Sequence, residues 1–158
     1  MKQSPARAKF DAAVAECGVH AHVLADAASR LPAAFSADQV GAIDAEQRRL
    51  LDQAAYRFMK LQDSLGEKVL TGILELTLDP LPPEASFAEK LQRLERLGAL
   101  RSVGSWRVLR EVRNSLDHEY PENPALQAAA LTRLMRGVSE LLDLWEQARR
   151  FASERLAG

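Results

Sequence analysis

Cysteine is nearly missing from this chain. Cys17 is the single one, which excludes an intramolecular disulfide framework and a cysteine-rich zinc site. Aromatic residues are scarce as well, at 6% of the total, so the core has to be built from Leu, Ala and Val, a composition that suits packed helices better than a sheet. No apolar run is long enough to span a bilayer: the most apolar stretch, residues 69–78, is broken by Thr71, Gly72, Glu75 and Thr77. The N-terminal stretch does not combine a charged start with the apolar segment of a secretory signal, and the expectation is a cytoplasmic protein that neither crosses nor enters a membrane. A large excess of one charge is absent too. The formal net charge of −1 gives no global attraction to polyanions.

What remains is a chain of 158 residues, the size of one domain able to bury its own core, with apolar positions repeating at helical spacing. The pattern predicts an all-α, up-and-down bundle of about five helices in a single domain covering residues 1–158. Helix one is expected from about Pro5 to Leu31, with Phe10, Val14, Cys17, Ala21, Leu24, Ala28 and Leu31 as its seam and Pro32 ending it. A second long pattern runs from Ser36 or Asp44 to Leu78, with Asp44 a candidate N-cap after a break near Gly41 and a bend expected at Gly66 or Gly72. Asp79 to Pro83 forms a loop that cannot continue a helix. Ser86 and Glu89 fit a capping box opening a third helix that Gly98 stops. Ser105 is expected to cap a fourth, which turns Trp106, Leu109, Val112 and Leu116 inward and is forced to end by Pro121. The fifth spans about Pro124 to Arg155, with Leu131, Leu134, Val138, Leu141, Trp145 and Ala148 at bundle spacing.

Charge is uneven along this framework. Residues 90–113 hold seven cations against two carboxylates. A phosphate-tracking surface and a solvated face with ion pairs such as Arg107–Glu111 are equally compatible with that excess. It leads into the most informative stretch, Arg113, Asn114, Ser115, Leu116, Asp117, His118, Glu119, Tyr120, Pro121. Arg113 offers a bidentate guanidinium and His118 a proton-transferring imidazole near neutral pH; together they are groups for cleaving a phosphodiester. On a regular helix Arg113 and His118 diverge by about 140°, whereas Asn114 and His118 share a face. Either a long Arg side chain, a frayed helix end or a second copy of the helix is then needed to bring both to one phosphate.

Arg113, Asn114, His118 and Tyr120 together resemble the R-x4-H-x-Y motif of the HEPN-domain toxins, with a polar residue directly after the Arg. The likeness extends to residues 57–63, to Leu94–Gly98 and to residues 106–121, which look like the HepT-like subgroup paired with minimal nucleotidyltransferases. The resemblance implies a HEPN-like bundle acting as a metal-independent endoribonuclease toxin, with Arg113, Asn114 and His118 in a composite site at a homodimer interface. No cofactor or metal is expected. It further implies RNA as substrate, a nucleotidyltransferase-fold antitoxin as partner, and inactivation by adenylyl transfer to Tyr120.

Blander readings stand beside these. His118 at a helix C-terminus favours the macrodipole when protonated, Arg113 can pair with Asp117 at i,i+4, and Tyr120 can be a half-buried cap. A second function also fits the motif: a non-catalytic helical subunit that binds nucleotide or substrate for a nucleotidyltransferase. A plain helical interaction protein is a third. His20 and His22, two apart, point to different faces and do not suit a helical metal site. Asp63 and Glu67 are i,i+4 carboxylates on helix two that can face the site, although solvent is the commoner place for such acids, and Trp106 and Trp145 are expected in the core.

Overall fold

The computed structural model describes residues 3–78, 80–117 and 122–156. Among them there is helix and no strand, and the chain is an all-α bundle. Helix α1 covers Pro5–Ser29, opened by Ser4, whose hydroxyl accepts from the Arg7 N–H. The short α2, Ala37–Gly41, is opened by a capping box of Ser36 and Gln39. Asp44 caps α3, Ala45–Ser64, by accepting from the Gln47 N–H. The rod then continues through a π-helical stretch, Leu65–Leu70, into α4, Thr71–Glu75. Helices α5 (Phe87–Leu97), α6 (Val103–Ser115) and α7 (Pro124–Arg155) complete the order. No helix among the described residues is long and apolar enough to cross a membrane.

The seams expected from periodicity form the core. Phe10, Cys17, Ala21 and Leu24 of α1 are buried, while Val14 and Ala28 pack at its margin. They meet Ala54, Phe58, Leu61 and Leu65, so that α1 lies along α3. The long α7 packs against α1, α2, α3 and α6, burying Leu131, Leu134, Val138, Leu141, Trp145 and Ala148. Full burial of a side chain such as Leu or Phe contributes roughly 1.5–3 kcal/mol, so the Leu-rich seams are sufficient to hold a bundle with few aromatics. The ends are tied together by Arg7, whose guanidinium donates to the Leu156 carbonyl.

Several boundaries differ from the sequence reading. The second long pattern is divided, because the capped α2 precedes the cap at Asp44. Gly66 and Gly72 serve close packing rather than a plain bend. A Cβ on Gly66 would stand 2.7 Å from Cζ2 of Trp106, and one on Gly72 would stand 2.6 Å from Cδ2 of Phe10. The irregularity is the π stretch itself, where the Thr71 hydroxyl donates to the Gly66 carbonyl at 3.2 Å. Ser102 caps α6, not Ser105; the Ser102 hydroxyl accepts from the Ser105 N–H. Gly98 stops α5 as expected, in the left-handed region at φ 90°, which costs glycine little.

Helix α6 also ends early. Its last residue is Ser115, six short of Pro121. The Ser115 hydroxyl turns back to the Val112 carbonyl at 2.6 Å, and the Leu116 and Asp117 N–H groups reach the carbonyls three residues behind. A serine hydroxyl that competes for a backbone carbonyl in this way weakens a helix end before any proline is needed. Thus only Arg113 and Asn114 of the motif lie in the final turn. His118, Tyr120 and Pro121 lie outside the described residues, as does Asp79 of the earlier loop.

Candidate functional site

Arg113 leaves the last turn of α6 toward α3 and is fixed there by a carboxylate. Its Nε donates to Oδ1 of Asp63 at 3.0 Å and its Nη2 to Oδ2 at 3.1 Å, a bidentate fork. Nη1 donates to Oδ2 of Asp117 at 2.7 Å. A guanidinium has five N–H donors, so these bonds leave one on Nη1 and one on Nη2 beyond its partners among the described residues. The side chain is 16% exposed, which orients it firmly while leaving an edge open. The hydrogen bond from Arg113 is the main reason the Asp63 carboxyl lies below its ordinary range, against the opposing effect of burial. Reciprocally, the bond to Asp63 raises Arg113.

Arg110, one turn earlier, joins the same carboxylate. Its Nη1 donates to Oδ1 of Asp63 at 3.1 Å and to Oε1 of Gln62 at 3.0 Å. Gln62 is fully buried, and its Nε2 has no partner among the described residues. Asn114 is exposed. The positive run of residues 90–113 therefore ends in two guanidiniums docked on one acidic side chain of the rod. The cationic surface is not laced by the expected Arg107–Glu111 pair; Glu111 instead meets Arg133 of α7 at 3.5 Å.

For Asp63 the less common of the two places open to it holds, against the solvated position that Glu67 takes. Glu67 is exposed, but Asp63 faces the motif. A signal for this ridge existed one position away. Gln62 is four residues after Phe58 and three before Leu65, hence on the buried side of α3, and a polar residue at a core-spaced position requires a polar partner.

The Arg113–Asp117 pair offered by the structural reading of the motif is present. With α6 ending at Ser115, the 140° helical divergence of Arg113 from His118 no longer bears on the site, because it presumed a helix through Tyr120. A composite dimer site then rests on the motif's resemblance and not on helical angles.

A second polar cluster lies between α1 and α3. The Arg57 Nη1 is 3.0 Å from Nδ1 of His20, while Glu16 accepts from the Ser64 hydroxyl and from Lys68, each at 3.1 Å. Burial first, and then the neighbouring Arg57 charge, lower the His20 pKa. A neutral Nδ1 accepting from Arg57 fits that direction. Cys17, fully buried nearby, has its thiol pushed up to about 12, chiefly by burial, and is no nucleophile in the folded chain. Trp106 and Trp145 are both core residues.

Comparison with protein-family models, with curated proteins and with solved structures finds no match to this chain.

Proposed function

We propose that this bundle is a metal-independent endoribonuclease of the HEPN toxin type, held in check by a nucleotidyltransferase-fold antitoxin. The observation that carries the reading is Arg113, the first residue of the R-x4-H-x-Y spacing, half-buried and gripped by Asp63 with part of its fork still open. A guanidinium preoriented in this way stabilises charge on a phosphorane without reorganising during the reaction.

In the proposed reaction a ribose 2′-hydroxyl attacks the adjacent phosphorus and loses its proton to a base, His118 of one protomer. The P–O5′ bond breaks, and the departing 5′-oxygen takes a proton from an acid, the second His118 of a homodimer. Arg113 neutralises the equatorial oxygens, and Asn114 orients phosphate or imidazole. Tyr120, two residues from His118, is the proposed acceptor of adenylyl groups from the antitoxin, which would place bulk and negative charge where substrate phosphate enters. The test is RNA cleavage in the presence of chelator by the wild type and by His118→Ala and Arg113→Ala. Each variant should lose about two or more orders of magnitude in rate. Undiminished cleavage by His118→Ala would overturn the assignment.

A second reading is favoured by the ion pairs of Arg113 with both Asp63 and Asp117: the motif arginine is a staple joining α6 to α3, and the chain is a non-catalytic, nucleotide-binding subunit of a nucleotidyltransferase complex. Under it, Arg113→Ala lowers the melting temperature and no preparation cleaves RNA.

A further inference from the structure

Asp63 has another neighbour besides the motif. Directly beside it, between the start of the π stretch, the first turn of α5 and the outer face of α6, lies a groove of about 300 Å³ lined by Gln62, Asp63, Gly66, Glu67, Trp106 and Arg110, with Phe87 at its rim. That volume is at the small end of small-molecule sites, roughly 300–1,000 Å³.

Its walls are of two kinds. Trp106 is 3% exposed and lies close against Gly66, where no side chain intervenes. Phe87, the first residue of α5, is 46% exposed, and its ring centroid is 6.5 Å from that of Trp106 at an interplanar angle of 58°. An exposed aromatic ring beside a buried one presents a surface for a flat π-system. The polar groups are Glu67, Asp63 and Arg110 on the flank, and Gln62 beneath. Gln62 is 0% exposed and uses its Oε1 on Arg110, while its Nε2 donor has no acceptor among the described residues. A buried amide donor without a partner carries its desolvation cost uncompensated. The Gln62 amide lies just under the groove lining, and a rotation of its side chain would present that donor to an acceptor entering the groove.

From these we infer that the groove is a nucleobase subsite, taking one unpaired base of the RNA strand whose phosphate lies at Arg113. The inference rests on the nuclease reading and deepens it. A nucleobase supplies a flat face for Phe87, ring nitrogen or carbonyl acceptors for the Gln62 amide, and N–H donors for the Glu67 carboxylate. Asp63 links the two places physically, since the Arg110 that lines the groove and the Arg113 of the motif bond the same oxygen. A strand with its base in the groove therefore has its backbone beside the guanidiniums, which is how single-stranded RNA is held by proteins that stack bases and track phosphates.

The test is titration of the intact protein with AMP, GMP, CMP, UMP and ribose 5-phosphate, following Trp fluorescence and the NMR signals of the Gln62 side-chain amide and Trp106 indole. At least one nucleotide should shift both signals, and ribose 5-phosphate should shift neither. Phe87→Ala, at a half-exposed position, should weaken that nucleotide by about fivefold or more, the scale of losing a base stack, with its circular dichroism unchanged. If no nucleotide moves Gln62, or ribose 5-phosphate does so equally, or Phe87→Ala binds as well as the wild type, the subsite is wrong. RNA cleavage measured on the same preparation separates the two readings. Cleavage with no shift at Gln62 removes the subsite and keeps the nuclease; shifts at Gln62 without cleavage keep the subsite and remove the nuclease.

Discussion

Arg110 and Arg113 share one atom, Oδ1 of Asp63, at 3.1 Å and 3.0 Å. Two cations one turn apart on α6 repel, and a single carboxylate on α3 holds both. The first prediction concerns that arrangement. Asp63→Ala should destabilise the fold by about 1–3 kcal/mol, the scale of hydrogen bonds to charged groups, and should lower RNA cleavage at least tenfold by releasing Arg113. Because the folded state depresses the Asp63 pKa, its contribution is complete above the ordinary carboxylate range, about 3.9, and is lost as pH falls through the lower folded value. Urea unfolding of wild type and Asp63→Asn from pH 6 to pH 2 should give curves that converge at the acid end. Parallel curves would refute the coupling.

Asp117 occupies a donor of Arg113 that the phosphate of the proposed substrate would otherwise meet. It is 56% exposed at the side chain, so its ion pair contributes little to stability, about 0–1 kcal/mol. Asp117→Asn should leave the melting temperature nearly unchanged while tightening RNA binding severalfold and steepening its dependence on salt. An unchanged affinity in filter binding at low salt would show that Arg113 does not meet phosphate.

The His20 cluster predicts pH-dependent stability of opposite origin. Its folded pKa is lowered by burial and by Arg57, while Glu16 opposes and Lys60 assists. The unfolded chain therefore binds the proton more readily, and stability should fall as pH drops below about 6.5 toward the folded value. His20→Gln should flatten this part of the melting-temperature profile, and a profile identical to wild type would exclude His20 as the source.

Gly66→Ala tests the approach of Trp106 to the rod. The added methyl would lie 2.7 Å from the Trp106 ring, and overpacking of that kind costs about 1–3 kcal/mol. A lower melting temperature and a shifted Trp emission are expected; thermal stability equal to wild type would mean that the ring moves freely.

Co-expression with a nucleotidyltransferase encoded beside this gene should add adenylyl mass to a peptide containing Tyr120. Tyr120→Phe should keep its nuclease activity and escape that control. An adduct mapped by mass spectrometry to another residue would end the regulatory proposal without touching the nuclease one.

Helix existence was legible because each seam repeats at helical spacing and the caps at Asp44 and Ser86 follow local chemistry that leaves its mark in sequence. The end of α6 was harder to place. Pro121 is the conspicuous stop signal, yet short-range bonds from Ser115 and Asp117 end the helix first. Of the candidate site, the motif singles out Arg113 and Asn114; the structure brings Arg113 to Asp63 and leaves Asn114 exposed. Asp63 stood only as the less common alternative, since a carboxylate on an amphipathic helix has a solvated default, and its meeting with Arg113 depends on how α3 and α6 cross. Gln62 was visible as a polar residue on a core face, but the identity of its partner required the third dimension.

The π stretch at Leu65–Leu70 has a bearing on engineering the rod. An extra residue in one turn acts as a phase shift: everything downstream is turned by about 100° relative to a regular helix. Deleting a single residue there would give a shorter, more regular rod, but would swing Ile73 and Leu74, both buried, out of register with α1. It would also withdraw Gly66 from beneath Trp106. The irregular turn thus acts as a vernier between the polar end of the rod, which addresses Arg113, and its apolar end, which addresses the bundle.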